Sequence, residues 1–337
     1  MARTDRLLAD LERGFEALEE GDLAAAATAV ERCRRIDGKH PDVVTLAAAV
    51  ADASGEVDEA LEQYALLATL RPDDPMPRIC MARIQLHGNG DPDAALEAVA
   101  EAFDFIDEEE DLLEAIYVKT EALLARGESE AARETLAELA SSVVEDGELA
   151  LDLANLAIEA EDPAAAKRWI ESAQRDPELA ADALHALGRL HESTGDRAAM
   201  IAAWQQVRAL DAAAPRPDVT TTEDELAQIA AETLEHLPEK IRIQLERVPV
   251  LIEDLPSEEL VADGVDPRLL GLFQGTPMAE DGALAPSVTN IHLFQRNLER
   301  IAEDEDHLAD EVRITVIHET AHYFGMDDDD LAAIDLD

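Results

Sequence analysis

Gly21-Asp22-Leu23-Ala24-Ala25-Ala26 reads as a turn glycine, an acidic residue and an alanine-bearing helix start. The phrase returns at Gly55-Glu56, Gly90-Asp91, Gly127-Glu128, Glu161-Asp162 and Gly195-Asp196, at spacings of 34, 35, 37, 34 and 34 residues. A period near 34 predicts a helix-turn-helix repeat. Five residues after each turn stands Ala26, Ala60, Ala95, Ala132 or Ala166, with Met200 in the last unit. A small side chain there lets two antiparallel helices approach closely. Pro41, Pro75 and Pro177 mark breaks between units.

On these residues the stretch from about 5 to 214 resembles the tetratricopeptide repeat (TPR) family, with about six units. The family's usual aromatic positions are mostly Leu or Ala here, and Glu161 replaces the turn glycine of the fifth unit. The resemblance implies a stack in which each helix pair buries its apolar face against its neighbours, leaving a concave groove for a protein or peptide. The four lysines, Lys39, Lys119, Lys167 and Lys240, are scattered. No basic clamp for a partner's terminal carboxylate is apparent, so a basic or neutral segment is the expected occupant. The alternative is a spacer that only positions the rest of the chain or mediates self-association. The acidic run Asp107–Asp111 reads as a solvated loop leading into the fourth repeat. His40, His87, His185 and His191 read as structural or surface histidines.

Composition narrows the setting. The chain has 337 residues, 47% of them hydrophobic but only 3% aromatic, which favours helices and suffices for a sizeable core. Its 77 acids against 27 bases give a formal charge of −50, which argues against nucleic acid or an anionic membrane as partner. Such a surface suits basic partners or a salty bacterial cytoplasm. Cys33 and Cys80 lie inside helical repeats and read as small buried hydrophobes in a reducing compartment. With no apolar leader at its start and no stretch of about 18 apolar residues, the protein is expected to be soluble and cytoplasmic.

Repeat rhythm stops at Pro215-Arg216-Pro217, the expected domain boundary. Thr222 with Glu225 forms a capping box opening a helix to about Leu237. Val248–Glu253 reads as a short strand, with Pro249 suggesting an edge or first-residue position, and Asn290–Phe294 as a second strand. Helices are expected from Asn297 to Ile301 and from Leu308 to Phe324. The last carries His318-Glu319-Thr320-Ala321-His322, and with Gly325 and Asp328 the spacing is HExxHxxGxxD. Residues four apart on a helix lie about 40° apart around its axis, so both imidazoles can reach one cation. Such a pair is half of a zinc site, with Glu319 as general base to a zinc-activated water. Gly325 can turn the chain back and carry Asp328 to the metal. Iron or another transition ion would also accept two His and a carboxylate.

The segments VPVLIEDLP (248–256), LLGLFQGTP (269–277), IHLFQRNLERI (291–301) and EVRITVIHETAHYFG (311–325) follow in the order of the small bacterial zincin-like metallopeptidases, which this region resembles over about residues 223–334. The resemblance implies zinc held by His318, His322 and Asp328, with Glu319 as base. Met326 precedes Asp328 and nine residues follow it, so no Met-turn is expected and the domain reads as a minimal zincin. The strand Asn290–Phe294 is expected to serve as the edge that receives substrate. His292 on it is expected to be a satisfied histidine, and LLGLFQGTP a loop packed on the zinc helix.

The expected fold is mainly α: TPR-like repeats over 1–214, a linker over 215–222, and a small α+β zincin domain with a short sheet over 223–337. The expected function is a zinc-dependent metallopeptidase whose TPR array recruits a protein partner or substrate. The alternative is a TPR interaction scaffold with a structural or weakly active zinc site. Amide or ester hydrolysis of a small molecule is a third possibility.

Overall fold

The computed structural model describes residues 3–140, 142–217, 219–237, 239–245, 248–275 and 288–324. The chain divides between Ala173 and Gln174 into two compact units.

The first unit consists of helix pairs α1 (Arg3–Glu19) and α2 (Leu23–Asp37), α3 (Pro41–Ala53) and α4 (Val57–Leu70), α5 (Met76–His87) and α6 (Pro92–Ala102), α7 (Glu109–Ala125) and α8 (Ser129–Ala137), and α9 (Gly147–Glu159) and α10 (Pro163–Ala173). The turn of the first pair shows how the chain reverses. Gly21 takes φ 74°, donates its N–H to the Leu18 carbonyl, and lets the Asp22 N–H reach the Ala17 carbonyl at 2.8 Å. These two bonds cap the carbonyls that end α1. The Asp22 carboxylate then accepts from the Ala25 N–H, capping the start of α2. Glycines 55, 90 and 127 also have positive φ, and Glu161 takes the same conformation at φ 55°. Ala26, Ala60, Ala95, Ala132 and Ala166 are fully buried, as close helix approach requires.

A 3₁₀ turn at Phe103–Phe105 occupies the longest repeat, where Arg78 lies over the Phe105 ring and Lys119 over that of Phe103. The acidic run 107–111 is only partly loop. Glu109, Glu110 and Asp111 form the first turn of α7, where the helix dipole favours negative charge.

The second unit opens with the sixth pair, α11 (Ala180–Ser193) and α12 (Arg197–Ala213), whose turn at Gly195 has φ 77°. Met200 is buried like the alanines it replaces. Next come α13 (Glu223–His236), α14 (Glu239–Leu245), β1 (Val250–Glu253), α15 (Glu258–Ala262), β2 (Gly271–Gly275), β3 (Val288–Phe294), α16 (Gln295–Ile301) and α17 (Glu305–Phe324). The Thr222–Glu225 capping box opens α13 as expected.

The strand order is β1-β3-β2, with β1 parallel and β2 antiparallel to β3. Among the described residues β1 is therefore an edge, and Pro249 directly precedes it. Ile291, Leu293 and Phe294 of β3 are fully buried, and a core of Leu226, Leu293, Leu298, Leu308, Val312 and Val316 joins sheet, α13, α16 and α17.

The polar residues of α16 tie surrounding segments together. Arg296 donates to the Asp211 carbonyl at 2.8 Å and pairs with Asp254, while Asn297 donates to the carbonyls of Pro267 and Leu269. Buried Glu299 accepts from Arg216 at 3.1 Å and from the Thr221 N–H at 3.3 Å. The Pro215–Pro217 stretch thus ends α12 and is pinned to α16.

Candidate functional site

α17 runs unbroken from Glu305 to Phe324, so its backbone sets His318 and His322 one turn apart. His318 is exposed and Glu319 half-buried. Of His322 the backbone alone is described, and Gly325, Met326 and Asp328 lie outside the described residues. Among the described side chains no group of three potential metal ligands forms. The donor chemistry of the motif, two imidazoles and a carboxylate with His318 open to solvent, fits zinc.

Glu319 and Thr315, four residues apart, share the α17 face that lies under β2. The strand can come this close because position 271 has no side chain. A Cβ built on Gly271 would stand 2.6 Å from Thr315 Cγ2 and 3.2 Å from Glu319 Cγ. Antiparallel pairing then determines which backbone groups face outward. The Phe294 N–H donates to the Leu270 carbonyl, so Leu270 and Leu272 point into the ladder while Gly271 and Phe273 point to the edge away from β3. On that edge the Phe273 N–H donates to Glu319 Oε2 at 2.9 Å. The carboxylate is held by a backbone group, and its bond to Phe273 uses one oxygen.

Two expectations change. β3 has partners on both sides, so Asn290–Phe294 cannot receive a substrate strand. Of LLGLFQGTP, Gly271–Gly275 packs on α17, and it does so as strand β2, at the edge of the sheet among the described residues, rather than as a loop. Gly271 and Phe273 were missed because two glycines suggested turns. A lone glycine within a strand pattern also signals close backbone approach, and this was the available clue.

His292 is satisfied: Nδ1 lies 2.9 Å from Glu253 Oε2 and Nε2 3.4 Å from Gln274 Oε1, so the buried ring links all three strands. His185 lies 2.9 Å from both carboxylate oxygens of Asp266, and His40 caps α3. Both cysteines are buried and free. No described helix is long and apolar enough to cross a membrane.

A family model described as zincin-like metallopeptidase matches residues 245–337, and one described as tetratricopeptide repeat matches residues 17–84. Similar solved structures include PilW, described as a widely conserved type IV pilus biogenesis factor, at 17% identity over 60% of this chain and 92% of that one, with a TM-score of 0.51. The pilF protein of Pseudomonas aeruginosa is likewise 17% identical, over 62% and 94% of the two chains, with a TM-score of 0.51. At such identity both speak to the helical-array fold alone. No curated protein matches the sequence. The chain therefore carries a tetratricopeptide-repeat region followed by a zincin-like metallopeptidase domain.

Proposed function

We propose that the C-terminal domain is a zinc-dependent peptidase and that the repeat array recruits its protein partner or substrate. The observation that carries the reading is Glu319, next to a motif histidine on one continuous helix and held at the edge of β2 that faces away from β3. His318, His322 and Asp328 would hold the metal. Zinc bound there would polarise the scissile carbonyl and lower the pKa of water towards neutrality.

Glu319 would take the proton of the attacking water and pass it to the leaving amine, while its bond to Phe273 limits side-chain motion. Substrate would enter as an extended segment along β2, the edge nearest Glu319, with main-chain groups giving affinity. Recruitment falls to the repeats, and free buried Cys33 and Cys80 suit a bacterial cytoplasm.

The test combines elemental analysis of untagged protein with cleavage of a peptide library. Native and Glu319→Ala proteins should each carry one zinc per chain, His322→Ala should carry none, and only the native protein should cleave. A native protein that stays free of metal after zinc reconstitution would overturn the peptidase reading. Zinc without cleavage in any peptide pool would favour the scaffold alternative.

A further inference from the structure

The first helices of the third, fourth and fifth pairs, α5, α7 and α9, stack side by side within the first unit, and a cavity of about 550 Å³ opens across them. Its polar lining includes Glu121, Asp152, Glu159, Tyr117 and His87, with no lysine or arginine. Leu86, Leu124 and Leu156 supply apolar wall between the charges.

Glu121 is half-buried, its side chain 19% exposed, while Asp152 and Glu159 are open to solvent. It sits 3.2 Å from His87 Nε2 and accepts the Tyr117 hydroxyl bond. Burial pushes the Glu121 carboxyl above its ordinary range, outweighing the pull of His87 and Tyr117. Burial likewise raises Asp152, with Glu148 and Asp146 adding to the effect. Tyr117 is raised by burial and then by Glu121 and Asp152. Burial is the first cause of all three shifts, and neighbouring acids add to each of them. Among the described residues no three ligating side chains converge as a metal would require.

We propose that this cavity receives a cationic side chain, arginine or lysine, of an extended protein segment lying across α5, α7 and α9. The charged head meets Glu121 and Asp152, and the alkyl stem lies along the leucines. The Tyr117 ring offers a face to the cation. The inference rests on the reading that the array receives a protein segment, and it defines which segment.

The experiment uses full-length protein carrying Glu319→Gln, so that bound peptides stay intact. Capped nonapeptide pools, random except for a central Arg, Lys, Gln or Glu, are compared for binding. The central-Arg or central-Lys pool should bind about tenfold more tightly than the Gln pool. Adding Glu121→Gln and Asp152→Asn should reduce the preference below about threefold. Adding Glu62→Gln and Glu134→Gln, exposed acids on α4 and α8, removes the same charge and should preserve it. Circular dichroism melts verify that each variant is folded. All pools binding alike would overturn the cationic pocket and keep the array as a peptide-binding surface. A preference that survives Glu121→Gln and Asp152→Asn would assign it to general surface charge and also overturn the pocket. Binding of no pool would overturn both readings.

Discussion

The fifth and sixth helix pairs carry the same turn, yet they belong to different compact units. In both, a left-handed residue lets the following aspartate, Asp162 or Asp196, donate its N–H to a carbonyl five residues earlier and cap the second helix. Each second helix also buries a tryptophan, Trp169 or Trp204.

Their polar contacts run in opposite directions along the chain. On α10, Arg168 donates to the Leu139 and Ala140 carbonyls, and Ser172 to that of Val144. On α11 and α12 the partners lie further along: Arg208 donates to the Pro256 carbonyl at 2.7 Å, and Arg197 to that of Asp263. Arg268 reaches back to Asp182 and Asp211. The repeat turn makes a helix pair, and the side chains around it decide which unit the pair joins.

Removing the Arg268 clasp should have the largest effect on this difference. Arg268→Ala leaves buried Asp211 with Arg300 at 3.0 Å and takes a partner from Asp182. Breaking such a pair from one side costs about 3 kcal/mol. Hydrogen exchange should show faster opening of α11 and α12 and leave residues 3–140 unchanged. Equal acceleration in both units would erase the distinction.

Gly271→Val tests the second unit at its close approach. Its Cβ would meet Thr315, and overpacking costs about 2 kcal/mol. The melt of the second unit should fall, and any peptidase activity should fall with it as Glu319 loses its bond to Phe273.

Glu161→Gly acts on the first unit in the opposite direction. It relieves a left-handed non-glycine residue, and the gain, after glycine's extra chain entropy, should be about 0.5–1 kcal/mol by chemical denaturation.

The smallest expected effect is a pH dependence. Burial raises Asp266, but bonds from His185 and Arg268 outweigh it, so the folded carboxyl titrates below its ordinary range. Its stabilising contribution is present above the unfolded carboxylate pKa of about 4 and is lost as pH falls through the lower folded value. Asp266→Asn should therefore flatten the acid slope of the second unit's melting temperature. An unchanged slope would exclude Asp266 as its source.

Local patterns were legible where each residue acts on its own stretch of backbone. The turn glycines, their substitute Glu161, the capping box at Thr222 and the buried alanine row all follow from backbone conformation or from the spacing of helix contacts. Partner choice was harder to read. The sequence of Asn290–Phe294 suits an accessible edge, but the pattern of a short apolar strand does not say how many neighbours it has. The GLFQG stretch of β2 reads as a loop because its glycines are as compatible with turns as with close packing. The polar run Gln295–Glu299 carries no local signature for the carbonyls it reaches.

By itself, the sequence determined the helical hairpins, their period, and the helix that bears His318, Glu319 and His322, because each depends on bonds or side-chain spacing within a few residues. Only the tertiary structure decided that β3 lies at the centre of its sheet, that β2 brings its Phe273 N–H to Glu319, and that α11 and α12 join the second unit. Those outcomes rest on contacts such as Gly271 against Thr315 and Arg268 with Asp211, whose partners are more than 40 residues apart in sequence. No local period encodes them.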